Sequence, residues 1–164
     1  MPLIVETGLG LASAESYASV DQASAYHSAR GAAEWDTVED QEAALRKATD
    51  YMVQNYRLSW KGHRVTSEQA LDWPRYECYD TDRFLIPSNV VPIEVRNACI
   101  ELALKVTTEA LNPDLTQQIL SNSVGPISVT YSAASPQYKR FRAIDMMLRH
   151  LLSGNNVTVK VTRS

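Results

Sequence analysis

Apolar residues recur at helical spacing in four stretches of the chain and alternate with polar ones in two. The first helical stretch runs from about Val20 to Arg30, with Val20, Ala23 and Tyr26 on one side and His27 alongside. Ser19 precedes it and Gln22 follows three residues later, the spacing of a capping box. Gly31 stands where a left-handed residue would end the helix.

A second helix is expected to start after Asp36 or Thr37, each with an acid three residues on. Glu39, Asp40 and Glu42 then lie in the first turn, where the helix dipole favours them. Leu45, Ala48, Met52 and Tyr56 continue at helical spacing, and the segment is expected to end near Asn55. The third helix carries the clearest pattern. Pro92 suits its first turn. Val95, Ala98-Cys99, Leu102-Ala103, Val106 and Ala110 make one stripe, which Asn112-Pro113 closes. A fourth helix is expected over Tyr138 to Leu152, with Phe141, Ile144, Met147-Leu148 and Leu151-Leu152 facing the core and Ser153-Gly154 stopping it.

The alternating run Val124 to Tyr131 reads as a half-buried strand, with Pro126 placing its start at an edge. The tail Val157-Thr158-Val159-Lys160-Val161-Thr162 alternates strictly and reads as a second, C-terminal strand. Between the second and third helices, residues 57–91 hold no long period, only a short helical turn expected at Ser67 to Leu71. Pro74 pushes Trp73 into an extended conformation. Long connections of this kind inside a compact domain tend to carry function or contact partners. The expected fold class is mainly α: a four-helix bundle-like subunit with a long irregular middle loop, a short β element and a C-terminal strand. Residues 1–154 form one helical domain in this reading, and 155–164 an assembly arm.

Composition narrows the function classes. With 164 residues and 45% hydrophobic content, the chain can bury a real core and is not a mainly disordered one. Sixteen basic and nineteen acidic residues leave a net charge of −3, too balanced for bulk attraction to nucleic acid or membrane. The distribution is uneven: nine acids face four bases in residues 1–60, while four acids face seven bases in residues 101–164. Such head-to-tail asymmetry suits self-association, but a solvated surface is the simpler reading. Cys78 and Cys99 make neither a disulfide framework nor a Cys-x-x-Cys zinc pair. The opening residues lack a basic n-region, so a secretory signal is not expected. No apolar run is long enough to span a bilayer, and a reducing compartment is expected.

Candidate chemistry is sparse. His27, His63 and His150 are isolated from other ligand types at metal-binding spacings. Gly8-x-Gly10 follows an apolar triplet, but Ser13 stands where a dinucleotide fingerprint needs its third glycine, so a turn is the simpler reading. Asp36, Glu39 and Asp40 lie where helix caps need acids. No catalytic residue, metal or cofactor is implied. The middle loop combines Arg57, Trp60, Lys61, His63, Arg64, Trp73, Arg75, Tyr76 and Tyr79, cations interleaved with rings, as single-stranded nucleic acid would require. The residues favour a simpler reading, in which Trp60 and Trp73 are buried anchors of the loop. Lys139, Arg140, Arg142 and Arg149 on the last helix form a small basic stripe, the candidate contact for DNA or an acidic partner. The C-terminal strand either pairs with Ile127 to Tyr131 or adds to a neighbour's sheet.

Several segments together resemble a family encoded in the morphogenesis regions of tailed phages. They include Val5-Glu6-Thr7-Gly8, Ser16-Tyr17-Ala18-Ser19-Val20, Ala25-Tyr26-His27-Ser28-Ala29-Arg30-Gly31, Trp60-Lys61-Gly62, Gln69-Ala70-Leu71-Asp72-Trp73-Pro74-Arg75 and Val124-Gly125-Pro126-Ile127. That family carries the label DnaT-like single-stranded DNA-binding protein, and its members also look like head–tail connectors. The connector resemblance implies a non-enzymatic virion protein, assembled in the host cytoplasm and placed at the neck. It implies a ring, dodecameric in such adaptors, beneath the portal protein, docking the next neck, tail-terminator or tail protein. Genomic double-stranded DNA would pass through its lumen without sequence readout, and no membrane is involved. Val157, Val159, Val161, Trp60, Tyr76 and Tyr79 would then serve assembly. The other label implies single-stranded DNA binding; the residues favour the connector, because a net charge of −3 with an acidic N-terminal section argues against the basic groove that single-strand binding needs.

Overall fold

The computed structural model describes residues 2–113, the strands at 121–124 and 127–130, and residues 141–153. Among the described residues, four helices dominate: α1 (Val20–Ser28), α2 (Gln41–Tyr56), α3 (Ile93–Lys105) and α4 (Arg142–Leu148). Two antiparallel ribbons accompany them. β1 (His63–Arg64) pairs with β2 (Arg75–Tyr76), and β3 (Ser121–Val124) pairs with β4 (Ile127–Thr130). The fold is helix-rich and mixed, with α3 packed between α2 and α4.

The core follows from the stripes. Leu45, Ala48 and Met52 of α2 meet Val95, Ala98, Cys99, Leu102 and Ala103 of α3, all fully buried. Alanines at these positions let the two backbones approach closely. Ile144, Leu148 and Leu151 close the other side of α3. Each large side chain so buried contributes about 1.5–3 kcal/mol. Polar pins fix the helices' rotation: Tyr26 Oη donates to Glu101 at 2.9 Å, tying α1 to α3, and Tyr56 Oη donates to Asp145 at 2.6 Å, tying α2 to α4.

The α1 start matches the sequence pattern, while the helix ends at Ser28, short of Arg30. Ser19 Oγ accepts from the Gln22 N–H, and Gln22 Oε1 accepts from the Ser19 N–H. The α2 start does not. Asp36 and Thr37 sit in a 3₁₀ turn, Ala33–Thr37, and Asp40 is the cap, its Oδ1 accepting from Ala43 N–H at 2.8 Å. The cause is Trp35, fully buried with its ring 5.1 Å from that of His27 and its indole N–H donating to Ser24. Seating that ring requires the chain to turn before α2 begins.

Three further elements differ from expectation. Helix α3 ends at Lys105, short of Ala110, because the hydroxyls of Thr107 and Thr108 donate back to the Leu104 and Lys105 carbonyls. Helix α4 spans only Arg142–Leu148 and tightens into a 3₁₀ turn, Arg149–Leu151. The single strand expected at Val124 to Tyr131 is a hairpin in which Val124 faces Ile127 across the register. Only Gly125 and Pro126 separate those two residues in sequence, the length of a two-residue connection. The C-terminal strand at Val157, Val159 and Val161 lies outside the described residues, as do Lys139 and Arg140. Among the described residues, no helix is long and apolar enough to cross a membrane.

Candidate functional site

The long middle segment is built round a buried polar knot. Asp72 is 1% exposed, yet every polar atom it needs is supplied. Its carboxylate accepts from Arg57 Nε at 2.8 Å and from Trp60 Nε1 at 3.3 Å, and its backbone N–H donates to Tyr17 Oη at 2.9 Å. Arg75 is buried beside it. The guanidinium fork donates to the carbonyls of Lys61 (2.7 Å), Gly62 (2.7 Å) and Asp72 (3.1 Å). Desolvation pulls the Arg75 pKa down from its ordinary value, and the Asp72 charge opposes that pull. Burial, with the same carboxylate behind it, pushes the Tyr17 phenol upward.

Gln69 completes the knot, donating to the Leu71 and Pro74 carbonyls while its own carbonyl oxygen accepts from Thr66 N–H. This inward turn replaces the helical turn expected at Ser67 to Leu71. The Trp73–Pro74 bond is cis. Trp60 and Trp73 meet edge to face at 5.8 Å and are 5% and 0% exposed. Trp60 is therefore a core anchor and offers no open face to a partner. The run from Gln69 to Arg75 is scaffold.

What the scaffold presents is the ribbon β1–β2. Its register sets His63 opposite Tyr76 and Arg64 opposite Arg75. Cross-strand partners share a face, so the buried Arg75 leaves His63 and Tyr76 on the outer one. Their rings lie 5.5 Å apart, and Tyr76 is 44% exposed. Gly62 makes the bend: at φ 65°, an added Cβ would fall 2.3 Å from the Tyr76 carbonyl oxygen.

A tight hairpin follows. Asp80 N–H donates to the Phe84 carbonyl and Ile86 N–H to the Cys78 carbonyl, while Asp80 Oδ1 accepts from the N–H groups of Asp82 and Phe84. Tyr79 pairs with Leu85 across this hairpin. Tyr79, Phe84 and Leu85 are 50%, 71% and 60% exposed.

The C-terminal helix reaches the root of the ribbon. Lys61 N–H donates to the Leu151 carbonyl and Ser153 N–H to the Ser59 carbonyl, bracketing an antiparallel bridge between Trp60 and Leu152. Lys61 Nζ donates to the His150 carbonyl at 2.7 Å. The basic end of the last helix, with exposed Arg149, is thus joined to the chain that enters β1. Arg142 is exposed at the opposite end of α4. The structure brings Arg149, Lys61, His63 and Tyr76 to neighbouring stretches, and keeps Tyr79 on the separate hairpin. No local signal in the sequence announces the pairing of 59–61 with 151–153.

The remaining candidates resolve into structure. Glu6, 3% exposed, fills its own glycine loop, accepting from the N–H groups of Gly8, Gly10 and Leu11 at 2.8, 3.0 and 2.8 Å. The cradle is occupied by a side chain of the same loop. His27 is buried against the Ile100 carbonyl. His150 Nε2 lies 3.7 Å from Glu94, and His63 Nε2 lies 3.9 Å from Glu77. Cys78 and Cys99 are free and buried. Among the described residues, no group of His, Cys, Asp and Glu could hold a metal ion.

Fold and site together define a helix-rich protein whose buried Asp72–Arg75 knot holds an exposed aromatic ribbon beside a basic helix end. The chain belongs to the family described as "Putative DnaT-like ssDNA binding protein", whose model matches residues 1–164. No curated protein and no solved structure matches it, and nothing in the comparisons names a head–tail connector.

Proposed function

We propose that the chain binds single-stranded DNA, without catalysis, on the ribbon β1–β2. The observation that carries this reading is the exposed His63–Tyr76 ring pair joined at its root to Lys61 and the Arg149 end of the last helix. Bases stack on the rings, and Lys61 and Arg149 attract the backbone. Each stacked base contributes about 1–3 kcal/mol and tolerates any sequence. With a net charge of −3, stacking outweighs charge attraction, so the salt dependence is shallow, with a slope of about −0.7 for each phosphate neutralised. The family description supports this reading.

The test is fluorescence anisotropy of a labelled oligothymidylate, with wild type against His63→Ala and Tyr76→Ala. Each variant is expected to bind at least about tenfold more weakly, at the level of one lost stack. Unchanged affinity in both variants, or no binding by the wild type at low salt, overturns the proposal.

One observation favours a second reading, the head–tail adaptor. The hairpin tip Tyr79, Phe84 and Leu85 is apolar and exposed, with Asp82 and Arg83, of opposite charge, beside it. Such a surface suits a protein partner. In that reading the chain forms a ring beneath a portal protein in the virion neck, and Val157, Val159 and Val161 serve docking. Quantitative mass spectrometry of purified particles of an encoding phage separates the two. About one copy per portal subunit supports the adaptor; absence from particles removes it.

A further inference from the structure

Two exposed surfaces of the chain complement each other. One is the hairpin tip, with Phe84 71% and Leu85 60% exposed. Its shape does not depend on a partner, because the Asp80 carboxylate holds the N–H groups of Asp82 and Phe84 and the Cys78–Ile86 pairing closes its base. Asp82 and its neighbour Arg83 both stand exposed on it. An apolar tip held rigid in solvent is the signature of an interaction site.

The other surface is the outward face of α4. Ile144 and Leu148 point into the core, so Arg142, Met146 and Arg149 share the opposite face at i, i+4 and i+7. Met146 is 54% exposed, an apolar side chain flanked by two arginines. Methionine adapts to irregular apolar partners and makes favourable contacts with aromatic rings. Among the described residues, neither Asp82, Arg142 nor Arg149 forms an ion pair.

We propose that the hairpin tip of one copy docks on the α4 face of a second copy, with Phe84 and Leu85 covering Met146 and Asp82 facing Arg142. Apolar meets apolar at the centre, and acid meets base at the rim, the usual anatomy of a specific interface. The two surfaces lie on different elements, so the contact is heterologous. Repeated copies close into a ring when the rotation between neighbours permits. The contact is argued from Asp82, Phe84, Leu85, Arg142 and Met146, none of which the DNA-binding reading uses, while Arg149 borders both surfaces.

Sedimentation velocity of the full chain over a range of protein concentrations tests it. The wild type is expected to associate reversibly. Asp82→Lys and Arg142→Glu, each placing like charges together, are expected to weaken association at least about tenfold. Combining the two restores opposite charges and is expected to recover most of the loss. Circular dichroism and thermal melting confirm that each variant is folded. A wild type that stays monomeric throughout overturns the proposal. So do single variants that associate like wild type, or a folded double variant that recovers nothing. Oligothymidylate binding of the same variants is read separately: lost association with intact DNA binding, or the reverse, assigns failure to one proposal and not the other.

Discussion

Lys61 Nζ donates a hydrogen bond of 2.7 Å to the carbonyl of His150, 89 residues away in sequence. The contact joins a bend in the middle segment to the last turn of the C-terminal helix. That carbonyl belongs to a 3₁₀ turn, whose open end leaves carbonyls in need of donors. The ammonium group meets that need and holds positive charge at the helix end the dipole favours.

Lys61→Met keeps the aliphatic stem and removes the donor. A hydrogen bond to a charged group contributes about 1.5–3 kcal/mol, and partial exposure of Lys61 places the expected loss at the low end of that range. Urea denaturation measures it. The same variant is expected to bind oligothymidylate more weakly than wild type. A stability unchanged from wild type would show that the helix end is held by the Trp60–Leu152 bridge alone.

Asp72 offers an ordering of effects. Arg57 is 45% exposed at its side chain and can turn to water when the carboxylate is removed. Trp60 Nε1 is buried and cannot. Asp72→Ala is therefore expected to cost about 2–3 kcal/mol, from a stranded indole N–H and the packing lost beside it. Arg57→Ala is expected to cost at least as much, because it leaves the buried Asp72 carboxylate without its ion-pair partner. Arg75→Lys is expected to destabilise as well, because one ammonium cannot reproduce a fork that reaches three carbonyls. Chemical denaturation of the three variants gives the order.

The helices were legible where the signal is local. Ser19 and Gln22 mark α1 through a contact three residues long, and the α3 stripe is continuous from Val95 to Ala103. The α2 start was ambiguous because Asp36, Thr37 and Asp40 all satisfy the capping rule, and only the burial of Trp35 chooses between them. The ribbon β1–β2 was hidden because its strands are two residues each, too short for a period to show. Trp60 and Trp73 were readable as anchors or as stacking faces, and deciding required Asp72, Tyr17 and Arg75, which approach from distant parts of the chain. The candidate site was half visible: its residue types stood out, while the link from Lys61 to His150 carries no sequence signature.

Glu6 and its glycines make a self-contained test of local folding. The carboxylate gathers three backbone N–H groups, and Gly8 adopts φ 102° where an added Cβ would lie 2.0 Å from the Asn89 carbonyl oxygen. Glu6→Gln replaces one acceptor oxygen with an amide donor and is expected to cost about 1–3 kcal/mol. Gly8→Ala is expected to cost more, since positive φ and backbone collision act together. Thermal denaturation separates the two.

Tyr26 sets an alkaline limit on the tie between α1 and α3. Burial, together with the hydrogen bond it donates to Glu101, pushes its phenol from 10.0 up to about 12. The folded state thus holds the proton more tightly than the unfolded chain does. The contribution is fully present below pH 10 and is lost as pH rises toward 12. Tyr26→Phe is expected to remove this part of the alkaline slope, seen as a flatter stability profile between those limits. An unchanged slope would place the alkaline loss on other groups, such as Tyr17, whose phenol is also raised.

The two thiols report on whether the core opens. Cys99 is fully buried, with Sγ 3.3 Å from Thr49 Oγ1 and 3.9 Å from the Leu45 carbonyl oxygen. Burial raises its pKa, and Cys78, also inaccessible, is raised for the same reason. A thiol reagent needs both access and thiolate, so the native chain denies it twice over. Neither thiol is expected to react with a disulfide reagent in the burst phase, and both are expected to react in denaturant. The slow native reaction then measures opening, and its two rates need not agree. Cys99 lies between α2 and α3, so it reacts only when those helices part. Cys78 lies at the base of the exposed hairpin and is expected to react first. Equal rates would mean that the hairpin and the helical core open as one unit. A fast native reaction at Cys99 would contradict the packing of α2 against α3.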